Sequence, residues 1–134
     1  MTDPYVPMDR KTIQKAAGTA GNVATTITVP QGERWELLNI SITLTTDATV
    51  TNRVVQIEVR DAAASTKFVN FGDTLAASDN SIYVFAQMIS GADVWLNALG
   101  KQILDAGEDV HLIISNGQAG DSYDYLLEYL KVEI

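Results

Sequence analysis

His111 is the one histidine, the residue type best suited to proton transfer near neutral pH, and Asp109 lies two positions before it. A general base needs a reacting group in reach, and a metal centre needs several converging ligands. A metal-binding cupin brings several histidines onto one ion, which a single histidine cannot do. His111 therefore reads as a structural or surface residue. Acidic groupings occur at Asp73 with Asp79, at Asp105 with Glu108 and Asp109, and at Asp121 with Asp124. Calcium gathers about six to eight oxygens, usually from densely alternating Asp and Asn residues. None of these stretches has that spacing, and aspartate favours turns because it bonds its own backbone. No metal site is expected.

Nucleophilic chemistry fares no better. Ser41, Ser65, Ser78, Ser81, Ser90, Ser115 and Ser122 all lack the nucleophile-elbow context of a hydrolase. Gly117-Gln118-Ala119-Gly120 is glycine-rich, but no helical pattern follows it to cradle a phosphate. Carboxylate pairs for glycoside hydrolysis exist only in the sense that acidic residues are numerous. The expectation is a protein with no catalytic residues and no cofactor. Aromatic side chains remain, since Trp35, Trp95, Tyr83, Tyr123, Tyr125 and Tyr129 could stack on a sugar. Large rings also dominate cores and interfaces. Packing is the preferred reading for Trp35, and Trp95, beside a loop, stays open between the two.

The elements that must position these residues are strands. Pro30-Gln31-Gly32-Glu33-Arg34-Trp35 is a turn feeding a long strand, in which apolar residues occupy every even position from Leu38 to Leu44. Trp35 and Leu37 sit on odd positions, so the parity reverses between Leu37 and Leu38. One extra residue, a bulge, does this. Val23–Val29 is a β-branched run stopped by Pro30, and Val55, Ile57 and Val59 alternate with Gln56, Glu58 and Arg60. Lys67–Phe71, Val94–Leu96, Lys101–Leu104 and Val110–Ser115 read as further short strands or strand-like links. Ile82–Ile89 is apolar on both parities, and Tyr123–Ile134 moves its apolar residues from odd to even positions. A strand with two apolar faces is covered on both. Self-association would supply the second cover, and Tyr83, Phe85, Tyr125, Leu127 and Tyr129 are the expected contact residues.

Residues 1–21 read differently. Pro4 and Pro7 impose an extended start, and Asp9–Ala17 could form a short helix with Asp9 as its cap. The two readings are a tail without fixed structure and an arm that orders on a neighbouring subunit. In the second, Pro4, Tyr5, Val6, Pro7, Met8, Arg10, Lys11 and Ile13 make the contact. Residues 22–134 form the body, and a chain of 134 residues accommodates one domain of this kind.

Charge narrows the partners. At a net charge of −8, Arg10, Lys11 and Lys15 against Asp3 and Asp9 give residues 1–21 a net +1, leaving −9 on the body. Such a body repels nucleic acid phosphates. No apolar run approaches the ~18 residues that cross a bilayer, so no membrane partner is expected. The start of the chain has no apolar signal segment, and synthesis in a cytoplasm is expected. There are no cysteines, which excludes a disulfide-stapled scaffold. About eight strands spaced by turns define an all-β sandwich or barrel.

Three pieces of the chain carry a resemblance. They are the Pro30-x-Gly32-x-x-Trp35 turn, the Leu104-Asp105-Ala106-Gly107-Glu108-Asp109-Val110 turn, and the Gly120-Asp121 corner opening a strand that ends Glu128-Tyr129-Leu130-Lys131-Val132-Glu133-Ile134. Together they resemble the small jelly-roll virion proteins of tailed bacteriophages, capsid decoration (cement) proteins and head-spike modules. The likeness implies a jelly-roll β-sandwich of about eight antiparallel strands with an extended N-terminal arm. It also implies a homotrimer on the capsid surface of the virion whose arm clasps the major capsid protein, with a small-molecule ligand disfavoured. A tail, neck or fibre-associated module, and a carbohydrate-binding β-sandwich, are the alternatives.

Overall fold

The computed structural model describes residues 9–18, 23–87 and 95–133, with side chains described over 24–87 and 98–131. Ten strands are present among them: β1 (Asp9–Gly18), β2 (Val23–Thr28), β3 (Glu33–Thr45), β4 (Val54–Arg60), β5 (Thr66–Phe71), β6 (Asn80–Ala86), β7 (Trp95–Ala98), β8 (Gln102–Leu104), β9 (Asp109–Ser115) and β10 (Ser122–Glu133). No helix occurs among the described residues. One sheet runs β1-β10-β3-β6-β7, with β8 added to β3, and the other runs β2-β9-β4-β5. Every pairing is antiparallel except β6 with β7. The expected all-β class holds.

The core lies between the sheets and follows the period-2 patterns directly. Val55, Ile57 and Val59 of β4 and Val110, Leu112 and Ile114 of β9 are buried from one side. Trp35, Leu37, Ile40, Ile42 and Leu44 of β3 meet them from the other, with Tyr83, Phe85, Tyr125, Leu127 and Tyr129. Each such large apolar side chain contributes roughly 1.5–3 kcal/mol when removed from water. Trp35 and Tyr129 stack with ring centroids 3.8 Å apart and planes 18° from parallel. The indole N–H of Trp35 donates to Glu33 Oε1 at 2.9 Å, so this ring is buried without an unmet polar atom.

The parity reversal in β3 is a bulge at Leu38. Leu37 pairs with Tyr129 and Asn39 with Glu128, leaving Leu38 as the extra residue. Its carbonyl accepts the Gln87 N–H at 2.9 Å, so the interruption leaves no orphan there. On either side of the bulge β3 has different neighbours along one edge. Residues Trp35–Leu37 pair with β8, and Asn39–Thr45 pair with β6.

Three sequence-based expectations change. Asp9–Ala17 is not a helix: it lies in β1, a strand in register with β10 from Asp9 opposite Lys131 to Gly18 opposite Ser122. A helix of that length is marginal in water, whereas the edge of β10 offers a full backbone ladder. The strand expected at Ile82–Ile89 ends at Ala86, and Met88 and Ile89 lie outside the described residues. Tyr83, Phe85, Tyr125, Leu127 and Tyr129, expected to join one subunit to another, are all buried between this chain's own sheets. Their strands are two-faced, as the pattern implies, but the outward face belongs to the alternate residues. Ile82 is exposed, and Val84, Leu126 and Leu130 are half-buried.

Candidate functional site

One end of the sandwich is organised around a buried arginine. The link from β3 to β4 contains Asp47 and Arg53, and the corner from β9 to β10 contains Gly120 and Asp121. Arg53 has no exposed surface, yet every guanidinium donor is used. Its Nε donates to Asp121 Oδ2 at 2.9 Å, and Nη2 donates to Asp121 Oδ1 at 2.9 Å and to Asp47 Oδ1 at 2.7 Å. Nη1 donates to the backbone carbonyls of Thr49 and Thr51 at 2.9 and 2.7 Å. A buried charge is tolerated only when paired and fully hydrogen-bonded, and this one is both.

The carboxylates are held from their other side by backbone. Asp121 accepts the N–H groups of Asp47 and Gln118, each at 2.9 Å. Asp47 accepts those of Thr49 and Gly120, at 2.9 and 3.0 Å. Burial alone would raise the Asp121 carboxyl, but Arg53 and the two N–H donors outweigh it and hold the group below its usual range. The Asp47 carboxyl is also lowered, chiefly by the Thr49 N–H, against a smaller opposing effect of burial. Hydrogen bonding to Asp121 outweighs desolvation at Arg53 and raises its pKa.

This arrangement dictates neighbouring residues. A Cβ on Gly120 would stand 2.7 Å from Asp47 Oδ2 and 2.9 Å from Asp47 Cβ, so the corner approaches too closely for a side chain. The link between β5 and β6 joins the same end. Arg53 and Leu75 exchange both backbone hydrogen bonds at 2.9 Å. Buried Thr46 donates to the Ala76 carbonyl at 2.6 Å and accepts the Asp79 N–H at 3.0 Å. Beside them Thr45, Thr46, Ser78, Asp79 and Asn80 line an open polar depression of about 490 Å³. From the clamped loop Val50 projects almost wholly into solvent.

The opposite end brings two of the sequence's signature turns together. Val29 donates to the Glu108 carbonyl at 2.9 Å and accepts the Gly107 N–H at 3.0 Å, tying the Pro30 turn to the Asp105–Glu108 turn. Gly107 has φ +86°, a left-handed conformation that L side chains resist. Arg60 forms a forked pair with Asp109 at 2.8 and 3.1 Å, both largely buried. Hydrogen bonding to Asp109 raises the Arg60 pKa against desolvation.

The chemistry-bearing candidates do not converge. His111 lies on the outer face of the four-stranded sheet, its Nδ1 2.9 Å from Thr26 Oγ1. Asp105 pairs with Arg34 at 2.7 Å, and Glu108 with Lys67 at 3.0 Å. Among the described residues no three His, Asp or Glu side chains group as metal ligands would. Burial pushes the Tyr83 phenol up to about 12, with Asp73 and Asp79 adding to the shift, so it stays neutral. Trp35 is core, as packing arguments favour. Trp95 opens β7, and its side chain lies outside the described residues.

Of the arm residues, Pro4, Tyr5, Val6, Pro7 and Met8 lie outside the described residues. Arg10, Lys11 and Ile13 fall in β1, opposite Leu130, Tyr129 and Leu127. Sequence reasoning takes Asp121 only as a turn residue and misses Arg53 altogether. The Gly120-Asp121 corner is the one visible trace of the cluster. Compared with known families, curated proteins and solved structures, the chain finds no match.

Proposed function

We propose that this protein is a non-enzymatic virion component of a tailed bacteriophage, a capsid decoration protein of jelly-roll type. Its three-fold body would sit on the head and bind the major capsid protein. The observation that carries this reading is the outward face of the six-stranded sheet. There Ile82, Val84, Leu126, Leu130 and Ile103 share a surface with Glu36, Glu128 and Asp124. Apolar residues on both parities of β6 and β10 are in excess of what one sandwich core uses, and a neighbouring subunit or shell is their natural cover.

Two further features support it. Two of the three turns that carry the phage resemblance are in contact with each other. The Arg53 clamp stiffens the other end of the body, which suits a part that stabilises a shell by passive binding. Such binding would come from apolar burial at ~25 cal/mol per Å², multiplied by several attachments per trimer.

Co-sedimentation with phage heads stripped of accessory proteins tests the reading, alongside sedimentation velocity of the free protein. The expected result is a trimer that binds heads, with both properties lost in an Ile82→Lys/Leu126→Lys variant of unchanged unfolding midpoint. A monomer at every concentration that ignores heads overturns it. The polar depression at Thr45–Asn80 favours one alternative, a carbohydrate-binding sandwich. A glycan-array signal lost on Asp79→Ala would select that alternative instead.

A further inference from the structure

The first strand of the six-stranded sheet sits where another molecule can supply it. Among the described residues β1 is an edge strand, paired with β10 alone, and residues 19–22 connect it in sequence to β2 of the other sheet. Its composition is unlike that of the strands it extends. Between Asp9 and Gly18 the one large apolar residue is Ile13, and the strand carries Arg10, Lys11 and Lys15 against a single acid. At the register positions opposite the buried rings Tyr129 and Tyr125 stand Lys11 and Lys15. The backbone ladder to β10 runs the whole length of the strand, from Asp9 opposite Lys131 to Gly18 opposite Ser122.

Charge points to what that ladder fits. β10 carries Asp124, Glu128 and Glu133 against Lys131, so a cationic strand lies on an anionic one within a strongly acidic body. Acidic bodies repel one another, and β1 is the segment of each copy that a neighbour's β10 attracts. The ladder is the same whether β1 comes from its own chain or from the next. Which one wins is set by effective concentration, which for a short tether is on the order of millimolar.

We propose that the outer edge of β10 is a strand-acceptor site and that β1 is exchanged between copies of this chain. The occupant is a second copy's Asp9–Gly18, added antiparallel in the register seen within one chain. Exchange is a low-cost route to assembly because it creates no new interface type. Dilute protein keeps β1 at home; crowding copies together shifts it outward. The inference concerns how copies join and is independent of the shell reading.

The absence of cysteine makes the test direct. Ala16 pairs with Asp124 in the β1–β10 ladder, and Asp124 is exposed. Full-length Ala16→Cys and Asp124→Cys variants are mixed at about 1 mM, near the effective concentration of a short tether, and oxidised. A mixture of Ala63→Cys with Asp124→Cys serves as control, because Ala63 is exposed on the β4–β5 turn, away from β1. The expected result is a disulfide-linked mixed dimer of the Ala16→Cys and Asp124→Cys chains, on the order of tenfold above control and falling on dilution. In parallel, the double variant Ala16→Cys/Asp124→Cys closes within one chain when dilute. A mixed dimer at the control level, with the double variant still closing internally, overturns the exchange. A double variant that does not close overturns the pairing itself.

Discussion

Arg53 and Asp121 stand 68 positions apart in the chain and meet as a forked pair, Nε and Nη2 each 2.9 Å from a different carboxylate oxygen. This pair joins the β3–β4 link to the β9–β10 corner, two of the places where the chain crosses between sheets. Asp121→Ala would leave the guanidinium buried with one carboxylate fewer. The expected cost is about 3–5 kcal/mol, read as a lower urea midpoint with an unchanged slope. Arg60→Ala at the other end removes a less buried pair and is expected to cost clearly less.

The same corner makes stability depend on acid. Both Asp47 and Asp121 have folded-state pKa values below their unfolded ones. A depressed carboxylate contributes stability that is fully present above the unfolded pKa of about 3.9 and lost as pH falls through the folded value. Urea midpoints should therefore be flat from about pH 7 to 5 with respect to these groups and fall below about pH 4. In Asp121→Asn the fall should be shallower, because one of the two titrating groups is gone. An unchanged slope in that variant would contradict the assignment.

Gly120 offers a steric test that leaves charge alone. A methyl group there meets Asp47 Oδ2 at 2.7 Å and Asp47 Cγ at 3.2 Å. Gly120→Ala should cost about 1–3 kcal/mol by thermal or urea unfolding, comparable to an overpacked core site. Combining it with Asp47→Ala should recover part of that loss, since Oδ2 and Cγ are removed while the contact with the Asp47 Cβ at 2.9 Å stays. Strict additivity of the two would show that they do not share a cause.

The stacked rings of Trp35 and Tyr129 predict a spectroscopic handle. Trp95→Phe leaves Trp35 as the sole tryptophan, and its emission should be blue-shifted and shielded from iodide. Tyr129→Leu removes the stack but keeps an apolar side chain. The pair's own contribution, about 0.5–1.5 kcal/mol, should then appear as lost stability beyond the difference in buried area. Emission of Trp35 that iodide quenches freely would be inconsistent with its burial.

The strands are legible in the sequence because burial on one face leaves a period-2 record, and the Leu38 bulge is legible because it breaks that record at one residue. Other features leave no local trace. Arg53 follows polar Thr51 and Asn52 and looks like an ordinary strand flank, since its carboxylate partners lie 6 and 68 positions away. The Asp9–Ala17 stretch has helix-compatible spacing, but an open strand edge overrides so weak a preference. For Tyr83, Phe85, Tyr125, Leu127 and Tyr129 the pattern shows two apolar faces without saying which turns inward. The aromatic residues and Leu127 take the core, and the alternate residues Ile82, Val84, Leu126 and Leu130 take the outside.

The bulge at Leu38 also divides β3 into two lengths with separate allegiances, one half tied to β8 and the other to β6. A strand in a single phase transmits any gain or loss of a residue along its whole length, turning every later side chain over. Here the irregular position reconciles two opposite parities, so that Trp35 and Leu37 on the β8 side and Ile40, Ile42 and Leu44 on the β6 side all reach one core.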